Sequence, residues 1–141
     1  MSGFLLDTNV VSELVKPKPE LSVVNWIAQE NEQLLYLSVL TLGEVRNGIE
    51  LLPDSSRRRR LEHWLEEELL GRFRDRILIV NELIADSWGR MNARATASGK
   101  VVSDIDGLLA ATAYHNDLVL VTRNSKDVEV FGIPIVNPWE L

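Results

Sequence analysis

Short, uninterrupted apolar runs, separated by stretches with helical periodicity, are the feature that most constrains the fold of this chain. The runs are shorter than typical helices and lack the polar alternation of a strand with one face in solvent. They cover residues 4–6, 35–39, 77–80, 118–122 and 133–136. Such runs are typical of strands that are buried on both faces and joined by helices. The sequence therefore predicts an α/β fold, with a central parallel sheet flanked by helices on both faces.

The segments between these runs carry apolar residues at helical spacing. Leu61, Leu65 and Leu69, for example, repeat every four residues on one face of a predicted helix. Proline and glycine mark the points where several helices should stop. We expect helices after Asp7 as far as Pro17, over 21–28, from Thr41 to Pro53, over 54–70 with Gly71 as the closing residue, from Ile84 to near Gly99, and over 103–115.

Length and composition indicate one ordinary globular domain. The chain has 141 residues, of which 45% are hydrophobic and 26% charged, so residues 1–141 are expected to fold as a single domain. Cysteine is absent, which excludes disulfides and thiolate metal sites. The start of the chain lacks the basic and long apolar regions of a signal peptide or membrane span, so we expect a cytoplasmic protein with no membrane attachment.

The charge distribution limits how the chain could act on nucleic acid. Its formal net charge is −6, which argues against non-specific coating of an anionic polymer. An RNA-cutting enzyme remains possible, because a divalent metal can bridge clustered acids to a phosphate. The basic run 57–60 has two interpretations: a solvated helix face balanced by neighbouring glutamates, or a patch that binds phosphate or a partner.

Three acids are predicted to meet at one edge of the sheet. Asp7 follows the first strand, while Glu44 and Asp106 each stand near the start of a predicted helix. Ligands of parallel sheets bind beyond the carboxyl ends of the strands, and Asn124, which follows the strand over 118–122, belongs to the same edge. Acids gathered there would repel one another unless a cation joined them. Oxygen ligands of this kind suit Mg²⁺ or Mn²⁺.

Two of these acids have an alternative, purely structural role. Glu44 stands three residues after Thr41 in a capping-box pattern, and Asp106 stands three residues after Ser103 in a weaker version of it. In that role the carboxylate satisfies backbone N–H groups and interacts favourably with the helix dipole. Asp7 has no capping role in the strand that it closes, and we expect it to be a solvated loop carboxylate.

Four motifs, in order along the chain, resemble those of VapC-type PIN-domain toxins, particularly the FitB-like group. They are Leu5-Leu6-Asp7-Thr8-Asn9-Val10-Val11-Ser12-Glu13, Glu44-Val45-Arg46-Asn47-Gly48, Asp106-Gly107-Leu108-Leu109-Ala110-Ala111-Thr112-Ala113 and Leu120-Val121-Thr122-Arg123-Asn124. The resemblance continues to Asn137-Pro138-Trp139 and so covers essentially the whole chain. It implies an Mg²⁺- or Mn²⁺-dependent RNA endonuclease that forms a homodimer. It also implies inhibition by a small cognate antitoxin, with operator DNA bound only indirectly, through that antitoxin.

The resemblance also implies a set of site residues. Position by position, the catalytic and metal-binding acids are Asp7, Glu44 and Asp106, whereas Asp104 is interpreted as a helix-start acid. Close relatives can carry a fourth acid where this chain has Asn124. We interpret Asn124 as the fourth metal-site residue, with Asp127 as the alternative.

These residues lead to one mechanistic hypothesis and two rivals. In the hypothesis Asp7 and Asp106 hold the metal and Glu44 helps to orient the attacking water, with Thr8, Asn9 and Thr122 as supporting or phosphate contacts. One rival is a phosphatase with Asp7 as nucleophile, although Thr8-Asn9-Val10 lacks the second acid that such a site needs. The other rival is a non-catalytic binding module, which would show no specific Mg²⁺ or Mn²⁺ binding.

Overall fold

A parallel sheet forms the centre of the fold in the computed structural model, which describes residues 3–141. Its strands are β1 (Phe4–Leu6), β2 (Leu35–Ser38), β3 (Ile77–Leu78), β4 (Val119–Val121) and β5 (Ile135–Val136). The order across the sheet is β3-β2-β1-β4-β5, and every neighbouring pair is parallel. β1 therefore lies in the middle, and the residue that follows it is at the centre of the carboxyl edge.

Helices connect the strands and cover the sheet. They are α1 (Thr8–Glu13), α2 (Leu21–Gln29), α3 (Val39–Glu50), α4 (Ser56–His63), α5 (Leu70–Phe73), α6 (Glu82–Ala97), α7 (Asp104–His115) and α8 (Ser125–Val128). A π-helical segment, Trp64–Leu69, joins α4 to α5, and 3₁₀ turns cover Glu32–Leu34, Glu129–Phe131 and Pro138–Glu140. No helix within residues 3–141 is long and apolar enough to cross a bilayer.

The sheet is buried on both faces, as the apolar runs predict. Leu5 and Leu6 in β1 are both fully buried, but they belong to different core clusters because successive strand residues point to opposite faces. The cluster around Leu6 includes side chains of α1, α2, α3 and the helical segment 56–73. The cluster around Leu5 includes side chains of α7 and α8. The predicted α/β fold with helices on both faces is confirmed.

The start of α3 differs from the prediction. The helix begins at Val39, where Ser38 is the N-cap and its Oγ accepts a hydrogen bond from the Leu40 N–H at 3.0 Å. β2 passes directly into α3 without a loop, so the last residue of the strand caps the helix. Thr41 lies inside the first turn and is fully buried. The predicted capping box of Thr41 and Glu44 is therefore wrong.

The predicted helix over 54–70 is also displaced. Ser55 is the N-cap and accepts a hydrogen bond from the Arg58 N–H at 3.2 Å, and the helical segment runs past Gly71 to Phe73. Glycine in a helix interior costs only about 1 kcal/mol relative to alanine. Burial of the Phe73 ring, which is 1% exposed, offsets that cost. Gly71 is therefore an interior helical residue and not the closing one.

Candidate active site

Asp7 lies at the carboxyl end of β1 and begins α1. Its Oδ1 accepts a hydrogen bond from the Thr8 N–H at 2.7 Å. Its Oδ2 accepts one from the Thr122 hydroxyl at 2.7 Å and a longer one from Asn9 Nδ2 at 3.3 Å. The residue is only 5% exposed, because β1 is the middle strand. The expectation of a solvated loop carboxylate is therefore wrong: Asp7 is buried, and it is the N-cap of α1, the helix that follows the strand.

Burial and two acidic neighbours, Asp106 and Glu44, change the pKa of Asp7. Burial raises the pKa of Asp7 to about 6, while hydrogen bonds from Thr122 and Thr8 partly oppose this shift. The negative charges of Asp106 and Glu44 raise the pKa further. The structure thus brings the three acids to one edge, as the sequence predicts. A cation there would remove the electrostatic cost of ionising the buried carboxyl.

Glu44 reaches this edge from the second turn of α3. Its Oε1 accepts a hydrogen bond from the Thr8 hydroxyl at 2.5 Å, which ties α3 to α1 directly beside Asp7. Thr41, its expected capping partner, has a buried hydroxyl that makes no hydrogen bond to any residue within 3–141. Glu44 therefore contributes its carboxylate to the edge and does not cap its own helix.

Asp106 is the third residue of α7. Its backbone N–H donates to Ser103 Oγ at 3.2 Å, so the serine half of the expected capping pattern is present. Asp106 is half-buried, whereas Asp104, one residue into the helix, is exposed. Asp106 therefore interacts with Asp7, whereas Asp104 is exposed at the first position of the helix.

Asn124 lies at the same edge but makes a different set of contacts. It is exposed, and its backbone N–H donates to the Thr122 hydroxyl oxygen at 3.0 Å, one hydrogen bond away from Asp7. It precedes α8 without a capping bond from its side chain. Asp127 is exposed in the first turn of α8, where its N–H donates to the Asn124 carbonyl at 3.0 Å.

The donor set suits a hard divalent cation that keeps several waters. Mg²⁺ commonly takes one or two protein carboxylates and completes its shell with water and substrate phosphate. In the described part of the chain, no group of three His, Cys, Asp or Glu side chains is arranged to hold one ion. Two carboxylates, Asp7 and Asp106, with water therefore fit Mg²⁺ or Mn²⁺ better than a closed cage of three.

A groove of about 540 Å³ lies beside Thr8 and Glu44, between α1, α3 and the helical segment 56–73. Its lining is largely apolar and includes Val45, Ile49 and Trp64, with Lys16, Arg57 and Arg60 among the polar residues. The four arginines of the basic run 57–60 therefore have two kinds of environment. Arg58 and Arg59 pair with neighbouring acids, as the solvated-face interpretation predicts, whereas Arg57 and Arg60 line the groove.

Sequence reasoning missed one part of this edge. Arg123, in the expected Thr-Arg-Asn motif, stacks over the Trp139 ring, with its guanidinium carbon 5.2 Å from the ring centroid. Asn137 donates to the Arg123 carbonyl at 3.2 Å. The motif residues were visible in the sequence, but no local signal pairs a residue after β4 with one near the end of the chain.

Comparison with known proteins agrees with this fold. The family model described as "PIN domain" matches residues 4–130, and the chain belongs to the PIN-domain family. It is 38% identical to VapC ribonuclease Y4jK of Sinorhizobium fredii over 136 residues, which is 96% of this chain and 97% of that protein. It is 35% identical to Toxin FitB of Neisseria gonorrhoeae over 96% of this chain and 97% of that toxin.

Solved structures give the same result. The crystal structure of FitAcB from Neisseria gonorrhoeae superposes with a TM-score of 0.93 at 35% identity, covering 98% of this chain and 99% of that one. A DNA-bound VapBC from Salmonella typhimurium superposes with a TM-score of 0.82 at 28% identity, covering 98% and 99%. The resemblance to VapC-type PIN-domain toxins is therefore confirmed for fold and family.

Proposed function

We propose that this chain is a metal-dependent endoribonuclease that acts as the toxin of a bacterial toxin-antitoxin pair and hydrolyses RNA phosphodiester bonds. The observation that carries the proposal is the buried Asp7 carboxyl, whose pKa is raised to about 6 by burial and by two neighbouring acids. Perturbed acids in a cluster are typical of catalytic sites. Relatives named as a VapC ribonuclease and a FitB toxin, matched over nearly their whole length, support the reaction class.

The roles of the acids follow from their contacts. Asp7 and Asp106 would hold Mg²⁺ or Mn²⁺, which when bound would supply positive charge to the scissile phosphate and acidify water. Glu44 would orient the attacking water, because its carboxylate lies beside Asp7 and has one oxygen already fixed by Thr8. Thr122 and Asn9 hold Asp7 Oδ2, so they are positioning residues for the first acid.

Asn124 supplies the fourth position of the proposed site. Its amide oxygen is neutral, so it can bind a water or a cation without adding charge. Asp7 and Asp106, with Glu44 beside them, favour one divalent ion with its waters, and a second ion would need the substrate phosphate. We therefore expect one metal or none in the protein without RNA.

The proposed partners are a cognate antitoxin and a second copy of the chain. Two of the solved neighbours are FitAcB from Neisseria gonorrhoeae and a DNA-bound VapBC from Salmonella typhimurium. For this chain, we propose that a short antitoxin segment blocks the acidic edge with an arginine among the carboxylates, since a guanidinium can take the place of the cation. Operator DNA would be bound only through the antitoxin. Light scattering at micromolar concentration should give the mass of a dimer.

The test is cleavage of total bacterial RNA by purified protein, with the cut ends mapped. Asp7→Asn, Glu44→Gln and Asp106→Asn should each abolish Mg²⁺-dependent cutting while circular dichroism shows an unchanged fold. Asp104→Asn is the matched control for Asp106, because it removes the same charge from an exposed position in the same helical turn. Full activity in any two of the three site variants would contradict the assignment. A parent protein that binds no Mg²⁺ or Mn²⁺ and cuts no RNA would instead be a binding module.

A further inference from the structure

Arg123 is fixed beside the acidic edge by both of its backbone polar groups. Its N–H donates to Asn9 Oδ1 at 3.3 Å, and its carbonyl accepts from Asn137 Nδ2 at 3.2 Å. Asn9 in turn contacts Asp7 Oδ2, and Thr122, the residue before Arg123, donates its hydroxyl to the same oxygen. The backbone of Arg123 is therefore two hydrogen bonds from the central carboxylate.

The side chain of Arg123 is also held in place, although the residue is exposed. Its guanidinium lies over the ring of Trp139, a half-buried residue packed against the core cluster around Leu6. The Trp139 N–H donates to Asn137 Oδ1 at 2.9 Å. The side chain of Asn137 thus braces both the Arg123 backbone and the ring on which the guanidinium stacks.

No acid neutralises this guanidinium by direct contact. Within residues 3–141, no carboxylate lies at salt-bridge distance from Arg123. The nearby Glu13 already pairs with Lys16 at 2.8 Å, and the positive charge of Arg123 acts on it only from a greater distance. A fixed guanidinium without a bound acid has its planar set of N–H donors available to an anion.

We propose that Arg123 binds a phosphate of the RNA strand beside the scissile bond, with Trp139 and Asn137 as its positioning residues. This inference rests on the proposed function. RNA must approach a chain with a net charge of −6 and a cluster of acids at the reaction site, so a fixed cation on that edge adds attraction for the strand. Guanidinium binds phosphate through paired N–H donors, and stacking on an indole orients it before the substrate arrives.

The experiment measures cleavage of total bacterial RNA at one mapped site, at saturating Mg²⁺ and over a series of salt concentrations. Arg123→Ala should lower kcat/KM by about 10- to 100-fold, as expected for the loss of a hydrogen bond to a charged group. The substitution should also make cleavage less sensitive to salt. The slope of log(kcat/KM) against log salt concentration should become less steep by about 1, as expected for the loss of one phosphate contact. At saturating RNA, kcat should change little, because the acids are untouched.

Arg74→Ala is the matched control. It makes the same change in net charge at an exposed arginine just before β3, at the opposite edge of the sheet. Trp139→Phe keeps an aromatic face and should retain most of the activity. Trp139→Ala and Arg123→Lys should each give a kcat/KM between those of the parent and Arg123→Ala. Trp139→Ala leaves the guanidinium without its stacking partner, and Arg123→Lys keeps the positive charge but loses the paired N–H donors.

Three results distinguish the possible failures. If Arg123→Ala and Arg74→Ala have the same kcat/KM and salt slope, Arg123 does not bind substrate phosphate. If Arg123→Ala lowers kcat at saturating RNA as much as kcat/KM, it acts by distorting the Asn9 and Asp7 contacts, and the inference is wrong. If the parent cuts no RNA, the proposed function itself fails.

Discussion

Asn124 is, at the scale of a single residue, a neutral side chain at the edge of the sheet that carries Asp7, Glu44 and Asp106. It follows β4 where an acid would add a carboxylate, and its backbone N–H is already bound to the Thr122 hydroxyl that also contacts Asp7. The backbone of Asn124 is therefore tied to the same hydroxyl that holds Asp7. Asp127 lies one helical turn further on and is exposed.

Asn124→Asp should tighten Mg²⁺ binding and move RNA cleavage to lower Mg²⁺ concentration, because a charged oxygen replaces a neutral one. Asp127→Asn, which removes a nearby exposed charge, should change little. The measurement is a metal titration of the parent and both variants at fixed pH and salt. If Asp127→Asn weakens metal binding as much as Asp7→Asn does, Asp127 fills the fourth position and our assignment of Asn124 is wrong.

The acids of the edge could be predicted from sequence, but their environments could not. Asp7 directly follows an apolar run, and the carboxyl ends of parallel strands share one edge, so its place was determined by local pattern. Its burial depends on β1 being the middle strand, which is a property of the whole sheet. The contacts from Thr8 to Glu44 and from Arg123 to Trp139 join distant parts of the chain, and no local pattern encodes them.

Helix ends show the same limit at the scale of secondary-structure elements. Ser103 caps α7, as its capping pattern indicated, because a loop after α6 precedes it and a helical pattern follows it. Ser38 was missed because it belongs to β2 and caps α3 without an intervening loop. The apolar face of the segment 56–73 carries its helix past Gly71, so a glycine signal was overridden by packing.

Two substitutions distinguish the observed N-cap of α3, Ser38, from the alternative capping box of Thr41 and Glu44. Ser38→Ala should lower the free energy of unfolding by about 0.5 to 2 kcal/mol, because it removes the acceptor for the Leu40 N–H. Thr41→Val should be neutral or stabilising, since it replaces a buried hydroxyl that has no partner within the described residues with a methyl group of similar size. Urea unfolding of both variants provides the comparison.

Glu44→Gln tests whether the Glu44 side chain caps α3. The side chain does not cap α3, so its amide should retain the contact to Thr8 and leave stability near that of the parent while RNA cleavage is lost. A loss of stability in Glu44→Gln or Thr41→Val as large as that in Ser38→Ala would restore the capping interpretation of Glu44.

At the scale of the whole molecule, two acids give stability opposite dependences on pH. Hydrogen bonds from Arg72, and then from Arg76, hold the pKa of Glu32 below its usual range, so this link between the turn before β2 and the segment before β3 stabilises the fold at neutral pH. That contribution is lost as pH falls through the lowered pKa. Burial and neighbouring acids instead raise the pKa of Asp7 from 3.8 to about 6.

For Asp7 the sign is reversed. The folded protein holds a proton that the unfolded chain releases, so the metal-free fold loses stability as pH rises from about 4 to about 6, by at most about 3 kcal/mol. Asp7→Asn should therefore be more stable than the parent at neutral pH in EDTA, and this advantage should shrink towards about pH 4. Urea unfolding of both proteins across this range tests it, with Asp104→Asn as the charge-matched control. An advantage that is independent of pH, or that Asp104→Asn shares, would show that ionisation of the buried Asp7 carboxyl is not what opposes folding. In that case the ionised Asp7 carboxylate would not be the charge that destabilises the metal-free protein, and a cation that neutralised Asp7 would not relieve that destabilisation.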